Sequence, residues 1–289
     1  MAVTLPGLPA DMQRKPTRPL KFVVKVLKRV IPIAAAIALG VLFPVVGWVL
    51  LGYVACGLID VLRNRPWRWS TVVRYFSGNG VFTWLLSPFN LLMDLLCLPF
   101  LNRGVYRLED LPAGHQADVR ELIDAARRRN LVGLLEEKLG ENRRGMIFFK
   151  WYGKNLQTSV DMPEYHARYR YLRTIGVSIF NKKQSTNKHF GPLRITLRVL
   201  YNLNPVNDPN VFIEVGGHTH VWREQPLFVF DDTLEHQSCN ESDAVRYCLF
   251  VDMLRPSPLR PLLSGILTGV RLLVAPVRAI FYGHWTILR

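Results

Sequence analysis

In the stretch KHFGPLRITLRVLYNL, residues 188–203, every odd position from Leu193 to Leu203 is apolar. Arg194, Thr196, Arg198 and Asn202 hold even positions, and Leu200 breaks the alternation. A period of two over this length is that of a β-strand with one face in a core. The runs VFIEV (211–215), LFVF (227–230) and YCLFV (247–251) are also rich in β-branched and aromatic residues, with turn-forming clusters between them. Short strands at such close spacing predict a mainly β domain, an antiparallel barrel or jelly roll whose mouth can hold a site.

Two histidines flank this strand set, His189 at its start and His236 in FDDTLEH, each just outside an apolar run. Imidazoles from two strand ends can hold Fe(II) while leaving coordination positions for a co-substrate and oxygen. Arg198 lies nine residues beyond His189, and Arg246 ten beyond His236. A guanidinium is permanently charged and grips a carboxylate in a fork, so each is a candidate partner for an organic acid. By spacing alone, two histidines and two arginines in a basic β-domain are structural or surface residues more often than not.

The letters add to the spacing. HFGP with Arg198 following, then Trp222, FDDTLEH, Arg246 and LFVDMLRP, resembles the aspartyl/asparaginyl β-hydroxylase family over roughly residues 146–256. FFKWYG (148–153) is similar to the bacterial membrane branch that includes lipid A acyl-chain 2-hydroxylases, and Ser178 stands eleven residues before His189. The resemblance implies a double-stranded β-helix, a form of jelly roll. It also implies an Fe(II)- and 2-oxoglutarate-dependent dioxygenase that uses O2 to insert one hydroxyl group. In that reading His189 and His236 bind iron, Arg246 pairs with the distal carboxylate of 2-oxoglutarate, and Arg198 and Ser178 are further contacts to the co-substrate. Asp231 and Asp232 are then supporting residues rather than ligands.

Three departures qualify the resemblance. Gly191 stands where bacterial lipid hydroxylases carry an Asp ligand, as in the animal aspartyl hydroxylases, where two histidines and water suffice. One anionic ligand fewer predicts weaker iron retention. Leu200 stands where the family often has a His, so one contact to 2-oxoglutarate is missing or replaced. Gln225-Pro226 replaces a turn glycine after Trp222 and alters a hairpin. A rival ligand set, His218 and His220 with Glu224, follows the Gly216-Gly217 hairpin turn; in the family register it falls at a hairpin tip or outer face.

The 289 residues carry a net charge of +15 with 49% hydrophobic residues, and the pI is near 10.0. So basic a chain must meet an anionic partner, nucleic acid or a lipid surface. No zinc-finger or helix-turn-helix spacing appears and the aromatic residues form no base-stacking motif, so no specific nucleic acid is expected. The basic residues instead border apolar segments, which points to an anionic membrane surface. Cys56, Cys97, Cys239 and Cys248 show no CxxC spacing and call for no disulfide framework.

Arg14, Lys15, Arg18, Lys21, Lys25, Lys28 and Arg29 are seven cations in sixteen residues, set directly before the apolar run Ile31–Leu62. This is a cytosolic flank under the positive-inside bias. The apolar run, interrupted by Gly40, Pro44 and Gly47, forms either one tilted span or two helices in a hairpin. Val81–Leu101, broken by Pro88 and Pro99, is a second span or an interfacial helix. An amphipathic helix is expected over 117–130, burying Val119, Leu122, Ile123 and Ala126. Leu262–Ile280, with Arg260, Arg271 and Arg278 along it, suggests an interfacial segment.

The expected organisation is a basic arm over 1–29, a membrane-associated helical region over 30–102, a catalytic domain over 103–256 and a basic amphipathic segment over 257–289. The expected protein is a dioxygenase on the cytosolic face of a bacterial inner membrane, acting on a membrane lipid such as lipid A or an ornithine-type lipid. A peptidyl Asp/Asn hydroxylase and a non-catalytic membrane-anchored binding protein are the alternatives.

Overall fold

The computed structural model describes residues 31, 34–35, 38–139, 145–277 and 286–288. The basic arm over 1–29 and Arg278 lie outside the described residues. The chain divides into two compact units, Met1–Ala55 and Cys56–Arg289.

Helix α1 (Pro44–Val61) opens on a proline, whose missing N–H costs nothing at a first helical position. It is the one helix among the described residues long and apolar enough to cross a membrane. In the first unit the backbones of Gly40 and Gly47 come into contact. Seven residues of straight helix would separate them by about 10 Å. The chain therefore bends sharply at Phe43–Pro44, as in the hairpin reading of this run, and the two glycines allow the close approach.

The second unit begins well before residue 103, the expected start of the catalytic domain, because the intervening helices pack on the β-structure. Helix α2 (Trp69–Ser77) comes first, and two short helices, α3 (Val81–Leu85) and α4 (Ser87–Leu96), stand in place of the one apolar segment expected over 81–101. Ser87, Asn90 and Met93 form the buried stripe of α4 at helical spacing. Strand β1 (Val105–Tyr106) and helices α5 (Ala113–Arg128) and α6 (Leu131–Leu139) follow. Val119, Leu122, Ile123 and Ala126 are buried in α5, as its period predicts.

The β-structure comprises β2 (Gly145–Trp151), β3 (Lys154–Asn155), β4 (Leu172–Phe180), β5 (Thr196–Asn202), β6 (Val211–Val215), β7 (His218–Val221), β8 (Leu227–Phe230), β9 (His236–Asn240), β10 (Arg246–Leu254) and β11 (Thr286–Leu288). Helix α7 (Pro163–His166) lies between β3 and β4, and α8 (Arg260–Val274) follows β10. The large sheet runs β1-β8-β5-β10-β4-β2-β11, with β3 paired to β2; the small sheet runs β7-β6-β9. Pairing is antiparallel except between β11 and β2.

The predicted strand at 193–203 is shorter than its period suggests, starting at Thr196. Pro192 offers no N–H, and the Arg194 N–H goes to Asn90 Oδ1 at 2.9 Å rather than into a ladder. The strand also buries both faces. Leu197, Val199 and Tyr201 join Ile175, Val177 and Ile179 of β4 and Leu249, Val251 and Met253 of β10 in a core against α5 and α6. The opposite face packs Leu200, Phe228, Phe230 and Cys248 on Val211, Ile213 and Val215 of the small sheet. The arrangement is a two-sheet sandwich of the jelly-roll type, and the polar half of the alternation points into its interior instead of into solvent.

One ion network joins the helices to the sandwich. Arg194 is 0% exposed. Its Nη2 donates to Asp60, its Nη1 to Asp94 at 2.9 Å, and its Nε to Thr233 Oγ1 at 3.2 Å, 3.3 Å from Asp231. Asp231 also accepts from Arg63 at 2.9 Å and Asn102 at 2.6 Å, and Arg255 reaches Asp94 at 2.6 Å. Three guanidiniums thus balance three carboxylates. Burial raises the Asp231 carboxyl, but Arg63 and Arg194 outweigh it and hold the group well below the usual carboxylate range. Burial brings Arg194 down to about 10, still charged at neutral pH.

Arg194→Met should therefore leave one buried carboxylate charge uncompensated and cost ~3–5 kcal/mol, read as a lower thermal midpoint at neutral pH. In the wild type the Asp231 contribution is complete above about pH 4 and is lost as pH falls. The deficit of the variant should accordingly shrink on acidification; a deficit constant with pH would count against the network.

Candidate active site

His189 and His236 are 47 residues apart in sequence but neighbours across an isolated antiparallel bridge. His189 N–H donates to His236 O and His236 N–H to His189 O, each at 2.9 Å. Directly opposed residues in such a bridge project to the same side. Their imidazoles accordingly lie with centroids 4.2 Å apart. Each Nδ1 faces a carbonyl two residues earlier, Asn187 O at 2.7 Å and Leu234 O at 2.8 Å. A carbonyl only accepts, so Nδ1 carries the proton in both rings and Nε2 carries the lone pair. Burial, followed by the neighbouring His189, holds the His236 imidazole well below its ordinary value and keeps it neutral.

The loop after His189 is pinned from outside the sandwich. Thr83 Oγ1 donates to Gly191 O at 3.0 Å and Asn90 Nδ2 to Pro192 O at 3.1 Å. Gly191 has a second constraint. A Cβ built on it would collide with the Asp232 carboxylate, whose own backbone oxygen accepts the Gly191 N–H at 2.6 Å. Asp232 thus fills the space that a side chain at 191 would need. Among the described residues no group of three His, Cys, Asp or Glu side chains is disposed to hold a metal ion.

Arg198 faces the interior from β5, opposite Asp252 of β10 and Phe230 of β8. Its Nε donates to Asp252 at 2.8 Å and its Nη2 to Asp232 at 2.6 Å, with the guanidinium 3.7 Å from the Phe250 centroid. Two carboxylates share one cation here. Burial pushes the Asp232 carboxyl up to about 7, Arg198 opposing and Asp252 adding to the rise.

Arg246 is placed differently. It is 1% exposed and sits between the rings of Phe180 (4.4 Å) and Trp222 (5.1 Å). Its Nη2 donates to Ser238 Oγ at 2.6 Å, but among the described residues Nε and Nη1 have no acceptor, and neither has Trp222 Nε1. Ser178 stands on the next strand, opposite Cys248, and donates to Cys248 O at 3.3 Å. One cavity of about 590 Å³ touches both histidines, Arg246, Ser178, Arg198 and Asp232. The fold thus gathers all five residues singled out in the sequence.

The rival set does not gather. Gly216 and Gly217 adopt positive φ in the β6–β7 turn, as read from sequence. His220, however, gives Nε2 to Gln225 O at 2.9 Å and stacks on Phe228, while His218 is exposed at the same hairpin. Sequence reasoning missed Thr83, Asn90 and Asp60. The signal was there: each is an isolated polar residue within an apolar stretch.

The sequence matches the aspartyl/asparaginyl beta-hydroxylase family over residues 146–256. The ornithine lipid ester-linked acyl 2-hydroxylase of Rhizobium tropici is 37% identical over 93 residues, 31% of this chain and 33% of that protein. The match therefore spans a third of the length of that relative. Among solved structures, a 2OG-Fe(II) oxygenase-family oxidoreductase from Burkholderia pseudomallei is 14% identical, covering 54% of this chain and 93% of its own, with a TM-score of 0.33. A Pseudomonas putida prolyl-4-hydroxylase is 16% identical, covering 57% and 99%, also with a TM-score of 0.33. At these scores the structural likenesses add no argument to the topology described above. The matched segment 146–256 holds all five of these residues, and what it shows is a similarity to the aspartyl/asparaginyl β-hydroxylase family.

Proposed function

We propose that this protein is an Fe(II)- and 2-oxoglutarate-dependent oxygenase that hydroxylates the acyl chain of a membrane lipid, of lipid A or ornithine type. One observation carries the reading: a single cavity joins the paired imidazoles and the unsatisfied Arg246 guanidinium to apolar helices at the surface. Beyond the polar residues it is lined by Phe82, Leu86 and Phe89 of α3–α4 and by Val270, Leu273 and Val274 of α8. Phe82 is 60% and Leu273 81% exposed, so the apolar end opens to the outside. An acyl chain fits such a mouth, whereas a polar peptide would lose hydration there without gaining hydrogen bonds.

The residues present fit the implied groups. Imidazole suits iron, and both rings are locked by their Nδ1 hydrogen bonds with Nε2 as the ligating atom. The donors of Arg246 lacking an acceptor suit one carboxylate of a dicarboxylic acid, screened from water by two rings. When bound, iron with 2-oxoglutarate and O2 supplies the oxidising power and the oxygen atom, the co-substrate leaving as succinate and CO2. The chain's own part is to orient the co-substrate through Arg246 and Ser178, to admit the acyl chain between α3 and α8, and to exclude bulk water with aromatic walls. Arg198, occupied by Asp232 and Asp252, fixes the floor of the cavity and carries charge balance there. The basic arm in the sequence and the cytosolic supply of iron and 2-oxoglutarate support a cytosolic catalytic face on a bacterial inner membrane.

Mass spectrometry of lipids from expressing cells tests this directly. A gain of one oxygen on an acyl chain is expected with the wild type and not with His189→Ala or His236→Ala. An unchanged lipid profile with wild-type protein present in the membrane and iron supplied would overturn the reading. Arg246→Met should raise the KM for 2-oxoglutarate roughly ten- to hundredfold, the equivalent of one charge-assisted hydrogen-bonded contact.

Position 191 gives a separate test. Gly191→Asp should not restore a three-ligand site but lower the thermal midpoint, by the ~1–3 kcal/mol of an overpacked position. Gly191→Asp combined with Asp232→Gly should instead tighten Co(II) binding, read by absorption titration, on the order of tenfold. Tight binding in the single variant would refute the steric account.

A further inference from the structure

A second pocket, of about 410 Å³, lies where the β2–β3 turn, the start of β4 and helix α8 meet. Its lining carries Lys150, Arg168, Arg170, Arg173, Arg260 and Arg271 and neither Asp nor Glu. None of the six joins an ion pair among the described residues. The arrangement is built rather than incidental. Lys150 is buried, donates to Ala167 O and lies 5.6 Å from the Tyr169 centroid. Arg173 donates to Ser264 Oγ at 3.2 Å and Arg170 O at 3.1 Å, and Arg271 to Tyr152 O at 3.4 Å.

Crowding shows in the chemistry of these groups. Burial, and then Arg173, lowers the Lys150 ammonium; burial, and then Arg260, lowers the Arg173 guanidinium, with Asp118 opposing both. Like charges gathered in one concavity repel, and an anion in their midst removes the repulsion. Guanidinium forks match phosphate oxygens, and the hydroxyls of Ser264 and Thr268 add donors on the same wall.

Helix α8 says where that phosphate comes from. Arg260, Ser264, Thr268 and Arg271 line the cationic pocket at helical spacing, and Leu263 and Leu267 are buried against the sandwich. Leu262, Leu272 and Leu273 of the same helix are exposed. A helix with a cationic edge beside exposed leucines is suited to a headgroup–acyl boundary. Tyr152 and α8 also form the wall shared with the apolar cavity.

We infer that this pocket binds the phosphate of an anionic membrane phospholipid and so seats α8 at the bilayer surface. The inference rests on charge and shape and holds whether or not the histidine pair performs the chemistry proposed above. The test uses the full chain in neutral detergent micelles, with the thermal midpoint read on titration of short-chain phosphatidylglycerol, phosphatidylcholine or inorganic phosphate. Phosphatidylglycerol should raise the midpoint in a saturable way and phosphatidylcholine should not. Arg168→Gln/Arg260→Gln/Arg271→Gln should weaken the half-saturation concentration at least tenfold. Should that triple variant fail to fold, Arg168→Gln alone, at an exposed position, should weaken it by at least twofold. A full response in these variants would place binding elsewhere, the basic arm included, and overturn the inference. An equal response to phosphatidylcholine, or to inorganic phosphate at the same phosphate concentration, would overturn it as well.

Discussion

The rest of the second unit depends on the buried charge balance around Arg194. A guanidinium with no exposure is costly unless its charge is met, and here Asp60 from α1, Asp94 from α4 and Asp231 from the β8–β9 connection meet it. Asp60 and Asp231 are buried only because cations meet them. The network therefore fixes the helices in register with the sandwich more stringently than apolar contact could, because an apolar face can slide while a paired charge cannot. It also sets the chemistry nearby. The loop carrying Gly191 and Pro192 runs between His189 and Arg194, and Asp231 stands five residues before His236, so both histidines inherit their position from residues that touch no substrate.

The histidine pair itself is a product of strand pairing. Two residues far apart in sequence become neighbours because a reciprocal pair of backbone hydrogen bonds sets them opposite one another. The same bonds fix the rings, since each Nδ1 is directed to a carbonyl two residues back along its own chain. Preorganisation of this kind costs no side-chain network.

Much of this was legible in the sequence, and the limits have physical causes. Alternation at 193–203 located the strand because period two is imposed by the pleat. It did not tell which face met solvent, because the inner face of the sandwich lines a cavity and carries Thr196 and Arg198 there. The site residues were legible through ordered spacings, whereas their engagement was not: nothing local to Arg198 foretells that Asp232 and Asp252 both reach it. The helices before residue 103 were read by hydropathy alone. Asp60, Asn90 and Asp94 were the residues to notice, since an isolated polar group in an apolar helix either meets a partner or is expensive. Their shared partner, Arg194, lies 100 or more residues away, beyond any local window.

The two most deeply buried arginines of the sandwich divide structure from function. Arg194 and Arg246 are equally hidden from solvent, yet Arg194 is met by three carboxylates and Arg246 by a serine hydroxyl and two aromatic rings. A protein that needed only stability would have no reason to bury a cation with two unsatisfied nitrogens, since packed apolar groups would serve better. The lost hydration of Arg246 has to be offset by something the chain does not itself contain. An acceptor with charge and a planar pair of oxygens offsets it most fully, and the cavity beside the histidines is where such an acceptor can enter. The aromatic rings make the same point from the other side: they stabilise the cation in the absence of ligand without occupying its donors, so the site stays folded and ready between ligands.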